Sequence, residues 1–104
     1  MGKSLTGPDE IDVMAMMVAI QTVHSGRVEL VVRPDSIGFT PSVMVVCRAM
    51  FDVLPGSDLP LTVEVENPYP CTVHQTLWAH CYDGLYRLDA AIQQAYEQAK
   101  LPEG

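Results

Sequence analysis

The chain has few basic residues: 6 Lys and Arg stand against 13 Asp and Glu in 104 residues, for a formal net charge of -7. Binding nucleic acid through its phosphates needs clustered Lys and Arg. The six basic residues here are scattered: Lys3, Arg27, Arg33, Arg48, Arg87 and Lys100. The sequence therefore predicts no nucleic-acid partner. The acidic excess is typical of a protein kept soluble by its charge. The alternative is an acidic face that attracts a basic partner.

Paired cysteines and long apolar runs are also missing. Cys47, Cys71 and Cys81 are odd in number, and none belongs to a Cys-x-x-Cys pair, which favours reduced thiols. No apolar run approaches the roughly 20 residues that cross a bilayer, and residues 1–5 have no signal-peptide pattern. We therefore expect a soluble cytoplasmic protein with no membrane partner.

No stretch carries a catalytic or ligand-binding signature, and no glycine-rich phosphate loop follows a strand. Ligand chemistry at close spacing is confined to Cys71, His74, His80 and Cys81. Zinc accepts thiolate and imidazole in a tetrahedron, but adjacent helical residues such as His80 and Cys81 point about 100° apart. One ion could not readily take both together with the first pair. We predict no metal and no cofactor, with Cys71 and His74 the nearest approach to a metal motif.

A small thiol- or metal-dependent enzyme, centred on Cys71 with His74 or His80, is the alternative to a binding protein. The dipole of a helix favours the thiolate of a cysteine at its N-terminus, and a histidine can act as the base. Cys47 lies among apolar strand residues, which predicts a raised pKa and an inert thiol. Because no signature surrounds Cys71, the sequence favours a protein that is not an enzyme.

The length is that of one domain, and we expect flexible ends at residues 1–7 and 100–104. Hydrophobic residues make up 48% of the chain and charged residues 18%. A soluble domain of this size usually exposes little apolar area. The surplus of apolar side chains therefore predicts a contact shared with another molecule.

An apolar segment from Ile11 to Val23 opens the fold. The preceding Thr6-Gly7-Pro8-Asp9 supplies a capping hydroxyl, a proline for the first turn and a carboxylate near the positive end of the helix dipole. Ser25-Gly26 predicts the end of this segment. The methionines and alanines of the segment favour a helix, whereas its β-branched residues favour a strand. We predict a buried helix, with a first strand as the alternative.

Three strands are predicted next. Arg27 to Arg33 alternates between apolar and charged residues. Pro34-Asp35-Ser36 predicts the end of this strand, and the alternative is an extension through Ile37-Gly38-Phe39. Val43 to Val53 has an apolar residue at every odd position, which is typical of a central strand. Leu61 to Val65 alternates again after the turn residues Pro55-Gly56-Ser57-Asp58. The short connections predict an antiparallel meander.

A long helix is predicted over residues 72–99. Thr72-Val73-His74-Gln75 has the form of a capping box, and Gly84 inside the helix predicts close approach to another backbone. One apolar stripe consists of residues three or four apart: Leu77, Cys81, Leu85, Leu88, Ile92, Ala95 and Ala99. A second stripe, Trp78, Tyr82 and Tyr86, lies about 100° around the helix.

The order α-β-β-β-α, with both helices on one face of a three-stranded antiparallel sheet, predicts a two-layer α+β fold. With a first strand the order would be β-β-β-β-α. The predicted order resembles that of double-stranded-RNA-binding domains. Those domains anchor phosphates with a lysine cluster at the start of the last helix, where residues 71–75 here read Cys-Thr-Val-His-Gln. The resemblance therefore implies a topology and no RNA-binding residue.

The functional prediction is a non-enzymatic protein–protein interaction module: a small acidic regulator, inhibitor or complex subunit. A small sheet can cover the first stripe of the last helix, which leaves the aromatic stripe for the first helix, a second copy or a partner. The predicted partner-binding residues are Trp78, Tyr82, Tyr86 and the nearby loop residue Tyr69. We expect a protein partner and a homodimer.

Overall fold

The protein has the α-β-β-β-α order and the α+β fold that its sequence predicts. A computed structural model describes residues 8–37, 40–51, 60–67, 70–73 and 76–100. The helices are α1 (Glu10–His24) and α2 (Leu77–Lys100). The strands are β1 (Arg27–Ile37), β2 (Thr40–Phe51) and β3 (Leu61–Glu66). The first segment is a helix, so the alternative of a first strand is wrong. Of the ends expected to be flexible at residues 1–7 and 100–104, Lys100 is the last residue of α2, and the others lie outside the described residues.

α1 begins at an acidic capping box. The side chain of Asp9, the N-cap residue, accepts a hydrogen bond from the amide of Asp12, and the Asp12 carboxylate accepts one from the amide of Asp9, each at 3.0 Å. Thr6, the expected capping residue, lies outside the described part of the chain. The helix ends at Ser25, whose φ of 56° is the left-handed conformation common just after a helix. The end predicted at Ser25-Gly26 is therefore confirmed.

The strands form one antiparallel sheet in the order β1-β2-β3, and both helices pack on one face of it. α1 lies over β1, and α2 lies over β2 and β3. The stripe that α2 buries against the sheet is the predicted one, with its centre fully enclosed: Cys81, Leu85, Leu88 and Ile92. Within the described residues, neither helix is long and apolar enough to span a membrane.

β1 runs through Pro34 to Ile37, so the strand end predicted at residues 34–36 is wrong. The reason is that β1 is an edge strand. The amide of Val28 donates to the side chain of Gln21 at 2.9 Å and so points away from β2. Pro34, six residues further along, has the same orientation because the strand repeats every two residues. Its missing N–H therefore falls on the outer edge and removes no hydrogen bond from the sheet.

α2 begins at Leu77, later than the predicted start at residue 72. Cys71 is held in extended conformation by Val43, with which it exchanges N–H···O bonds of 2.7 and 2.9 Å. The amide and hydroxyl of Thr76 then donate to the carbonyl three residues earlier, at 3.0 and 2.8 Å, and close a turn. Strand pairing at Cys71 thus delays the helix. The expected capping box at residues 72–75 lies partly outside the described residues.

Gly84 marks the closest approach of α2 to the sheet. A Cβ atom built on Gly84 would lie 2.8 Å from Sγ of Cys47 and 2.9 Å from Oδ1 of Asn67. The Asn67 side-chain amide donates to the carbonyl of His80 at 2.7 Å, which ties the end of β3 to the helix. The helix is continuous through Gly84. α2 approaches the sheet closely at Gly84, but the nearest atoms belong to side chains, so the predicted approach to another backbone is wrong.

Candidate functional site

α1 presents an uncharged and largely apolar surface to solvent. Its large hydrophobic side chains are exposed, Ile11 by 76%, Met14 by 54%, Val18 by 57% and Val23 by 73%. Three smaller exposed residues complete the surface: Ala15, Ala19 and Thr22. We call these seven residues the α1 outer face.

Beyond its first turn the α1 outer face contains no charged side chain, whereas Ile11 lies between Glu10 and Asp12 in that turn. The acidic residues of α1 lie in its first turn, and His24 lies at its end. Thr22 donates its hydroxyl to the carbonyl of Val18 at 2.8 Å, so its polar group is satisfied within the helix. A helix that is apolar all round is normally buried on every side. The domain buries only one side, at Val13, Ile20 and His24.

The prediction of a buried helix is therefore wrong for the outer half of α1. In the sequence, this exposed face was recognisable only as part of the apolar run from Ile11 to Val23. Periodicity alone does not reveal how much of such a helix its own domain covers. The extent of cover follows from the sheet: α2 lies over β2 and β3, and α1 is left with the edge strand β1.

The aromatic stripe predicted on α2 is divided. Trp78 and Tyr82 are half-buried and pack against the core, whereas Tyr86 is 66% exposed. Tyr69 lies outside the described residues. Tyr86 is thus the ring most accessible to a partner among the described members of the set. Helical spacing places it on the same side of α2 as Gln93, seven residues further along.

A groove of about 200 Å³ lies between the two helices. It is lined by four residues of α1 and two of α2: Met16, Ala19, Ile20, Val23, Asp89 and Gln93. Small-molecule sites typically have volumes of roughly 300–1,000 Å³. This α1–α2 groove is therefore better suited to side chains of a macromolecule, and Ala19 and Val23 join it to the α1 outer face.

His24 connects the end of α1 to α2 beside the groove. Its Nε2 lies 2.7 Å from Oδ1 of Asp89, and its ring stacks on Tyr96 with 5.8 Å between centroids. The Tyr96 hydroxyl donates to the His24 carbonyl at 2.9 Å, and Gln93 donates to the second Asp89 oxygen at 3.1 Å. The side chain of His24 is 7% exposed and that of Asp89 32%. These contacts fix the two walls of the groove relative to each other.

The outer edge of β1 is poorly suited to adding a strand. Its outward backbone groups belong to alternate residues from Val28 to Ser36. The Val28 amide is already bonded to Gln21, and Pro34 has no amide to donate. The amides of Leu30 and Val32 lie between these two residues, and that of Ser36 lies beyond Pro34. An edge interrupted in this way gives a partner strand little to pair with.

The sheet face away from the helices carries paired charges. Arg48 lies 2.7 Å from Glu64 on β3 and 3.6 Å from Glu29 on β1, and Arg33 lies 2.8 Å from Glu66. The hydrogen bond from Arg48 to Glu64 raises the pKa of the guanidinium above its usual value. Charges that satisfy one another across strands are typical of a solvated sheet face.

Each of the three cysteines is buried as a free thiol. Cys71 lines a cleft of about 300 Å³ together with Ser42 and Leu77, and its Sγ donates to the carbonyl of Val73 at 3.1 Å. No hydrogen bond joins Cys71 to His80 within the described ranges, and His74 lies outside them. Within the same ranges, no group of three or more His, Cys, Asp and Glu residues is placed to hold a metal ion. The described geometry thus gives Cys71 no catalytic partner.

Burial raises the pKa of the Cys47 thiol from 9.0 to about 12, with smaller contributions from Cys81 and Asp83. It likewise raises the pKa of Cys81 to about 11, with a smaller contribution from Cys71. The sequence predicted a raised pKa for Cys47, and this is confirmed. Neither thiol is available as a nucleophile near neutral pH.

These pKa values predict that alkali destabilises the fold. Above pH 9 the unfolded chain loses thiol protons that the folded state retains, so the stabilisation is complete below pH 9 and is lost as the pH rises toward 11 and 12. The urea midpoint, measured between about pH 7.5 and 10.5, should fall less steeply in Cys47→Ala and Cys81→Ala than in the wild type. Equal slopes in all three proteins would contradict the assignment.

Comparisons with protein-family models, with curated proteins and with solved structures found no match to this chain.

Proposed function

We propose that this protein is a non-enzymatic protein-binding module that docks on its partner through the α1 outer face. The observation that carries the proposal is the exposure of Ile11, Met14, Val18 and Val23 on one helix, which has no charged residue from Val13 to Val23. An exposed apolar patch of this kind on a small acidic domain is typical of a protein–protein contact.

The energetics support the proposal. Burying a large aliphatic side chain stabilises a complex by roughly 1.5–3 kcal/mol before the costs of association are subtracted. The outer face offers four such side chains on a helix already ordered by its capping box and by its contacts with the sheet. A partner would therefore gain apolar burial without having to order this helix. Tyr86, the exposed member of the aromatic stripe, offers a ring on α2 as a second contact for a partner.

Substituting Val18 with glutamate should break the contact. We expect Val18→Glu to weaken association with the native partner by at least about tenfold, because a carboxylate would be buried at the centre of the face. Glutamate has a helix propensity at least as good as that of valine, so the unfolding temperature should change little. Affinity purification of the tagged protein from its native cell, compared between wild type and variant, gives the measurement.

Val31→Glu is the matched control, because Val31 is also an exposed valine, 37% exposed on the sheet face away from the helices. It adds the same charge and should leave association unchanged. Sedimentation of the wild type and of both variants tests the predicted homodimer. The proposal fails if Val18→Glu and Val31→Glu behave alike in both experiments.

A further inference from the structure

We infer that the partner of the α1 outer face is a second copy of the chain, and that the two α1 helices pack antiparallel about a two-fold axis midway between Ala15 and Val18. This inference rests on the proposed function and adds the identity and orientation of the partner. It follows from the order of large and small residues along the face.

The centre of the α1 outer face is a seam of four exposed residues: Ile11, Ala15, Val18 and Thr22. Their spacing of four, three and four residues keeps them in line on one side of a helix. Two helices that pack side chain into side chain along their length use this same spacing. The seam lies on the side of α1 opposite Val13 and Ile20, which the domain buries. It is therefore the side of the helix that faces away from the core.

Large and small residues alternate along the seam, so it complements itself when its direction is reversed. In the antiparallel pair, Val18 of each copy faces Ala15 of the other, and Ile11 faces Thr22 in the next layer. Each layer thus combines one large and one small residue, which favours close packing. A parallel pair in register would instead place large against large and small against small. An unrelated partner would have to supply the matching order separately, whereas a second copy always carries it.

The polar groups of α1 fit the same arrangement. The hydroxyl of Thr22 donates to the carbonyl of Val18 at 2.8 Å, so it enters the contact already paired. Glu10 and Asp12 project about 100° to either side of Ile11 and so flank the seam.

The antiparallel orientation also separates the acidic first turns of the two helices. They lie at opposite ends of the pair, about 16 Å apart along the helix axes. This distance exceeds the Debye length of about 8 Å at physiological ionic strength. The remaining repulsion between two chains of net charge -7 should make the dimer tighter at high salt, whereas a basic partner would bind more weakly there.

The area of the α1 outer face suits a reversible dimer. The exposed fractions of its seven residues correspond to roughly 600 Å² per copy, so a symmetric pair buries about 1,200 Å², the lower end of the range for specific interfaces. Obligate dimers bury more than roughly 2,000 Å². We therefore expect a dimer that forms at micromolar concentrations and dissociates on dilution.

Sedimentation equilibrium of the purified protein, with variants of the central layer, tests the inference. Val18→Ala leaves two small residues facing each other, and Ala15→Val places two large ones there, so each should raise the dissociation constant at least about fivefold. The double variant, Ala15→Val with Val18→Ala, restores one large and one small residue in each layer. Its dissociation constant should return to within about twofold of the wild type. Both positions are exposed in the monomer, so circular dichroism should show the same fold in all four proteins.

Cross-linking tests the orientation. Ile11→Cys and Thr22→Cys place thiols that face each other in the antiparallel pair, whereas each lies about 16 Å along the axis from the same residue of the other copy. A short bismaleimide should therefore join the two variants when they are mixed, and neither variant to itself. Val31→Cys, exposed on the far face of the sheet, controls for random collisions. The wild type controls for the native thiols, which are all buried.

The failures are distinguishable. A wild type that stays monomeric at millimolar concentration, a double variant as weak as the single variants, or cross-links within one variant would each overturn the inference. In these cases the docking surface still stands if Val18→Glu releases the native partner and Val31→Glu does not. If those two variants behave alike in both affinity purification and sedimentation, the proposed function itself is wrong.

Discussion

Replacing His24 with alanine is expected to lower the free energy of unfolding by about 3 kcal/mol. The substitution removes the His24 contact of the Asp89 carboxylate, which is 32% exposed, and the loss of a hydrogen bond to a charged group costs roughly 1.5–3 kcal/mol. Loss of the stacked ring on Tyr96 adds about 1 kcal/mol. Urea unfolding at neutral pH measures the change.

Two further variants separate these contributions. His24→Phe keeps a ring beside Tyr96 and removes the bond to Asp89, so it should lie between wild type and His24→Ala. His80→Ala is the control, because the described contact of His80 is made by its backbone carbonyl and should survive the substitution. If His24→Ala and His80→Ala are equally stable, the His24 contacts do not hold α1 to α2.

Gly84→Ala is the second variant with a large expected effect: its free energy of unfolding should be lower than that of the wild type by about 2 kcal/mol. Alanine in a helix is normally favourable over glycine by about 1 kcal/mol, so an exposed position would show the opposite sign. At Gly84 the new methyl group would meet Cys47 Sγ at 2.8 Å and Asn67 Oδ1 at 2.9 Å. Both neighbours are buried, and overpacking of this kind typically costs 1–3 kcal/mol. The midpoint of urea unfolding is the measurement.

Cys47→Ala should rescue part of the Gly84→Ala defect by removing the sulfur atom that the new methyl group meets. The double variant should therefore be less destabilised than the sum of the single variants by about 1 kcal/mol. Additive losses would show that α2 moves away from the sheet as a whole.

The fold was predictable because its strongest signals are local. Alternating residues predicted which face of β3 is buried. Residues three or four apart predicted the buried face of α2, which consists of Cys81, Leu85, Leu88 and Ile92. The errors arose where a distant residue decides the outcome. Pro34 stays in β1 because its missing N–H faces the outer edge of the sheet, the side on which the Val28 amide bonds to Gln21. The start of α2 is delayed because Val43, far away in sequence, pairs with Cys71.

The candidate site was harder to predict than the fold. An apolar helix gives the same pattern whether its domain covers one side or both, so the run from Ile11 to Val23 did not reveal the α1 outer face. The aromatic stripe of α2 posed the same difficulty. Tyr86 is exposed, but Trp78 and Tyr82 pack against the core. His24 and Asp89 are 65 residues apart in sequence, so no local spacing predicts their contact.

The outer edge of β1 has a consequence for how copies of this protein meet in a concentrated solution. Fibrils grow when a chain offers a continuous row of free amides and carbonyls onto which the next chain can add. The side chain of Gln21 occupies the amide of Val28 near the start of this row, and the ring of Pro34 interrupts the row before the strand ends at Ile37. The outer edge of β1 therefore gives the strand of a second copy little to extend.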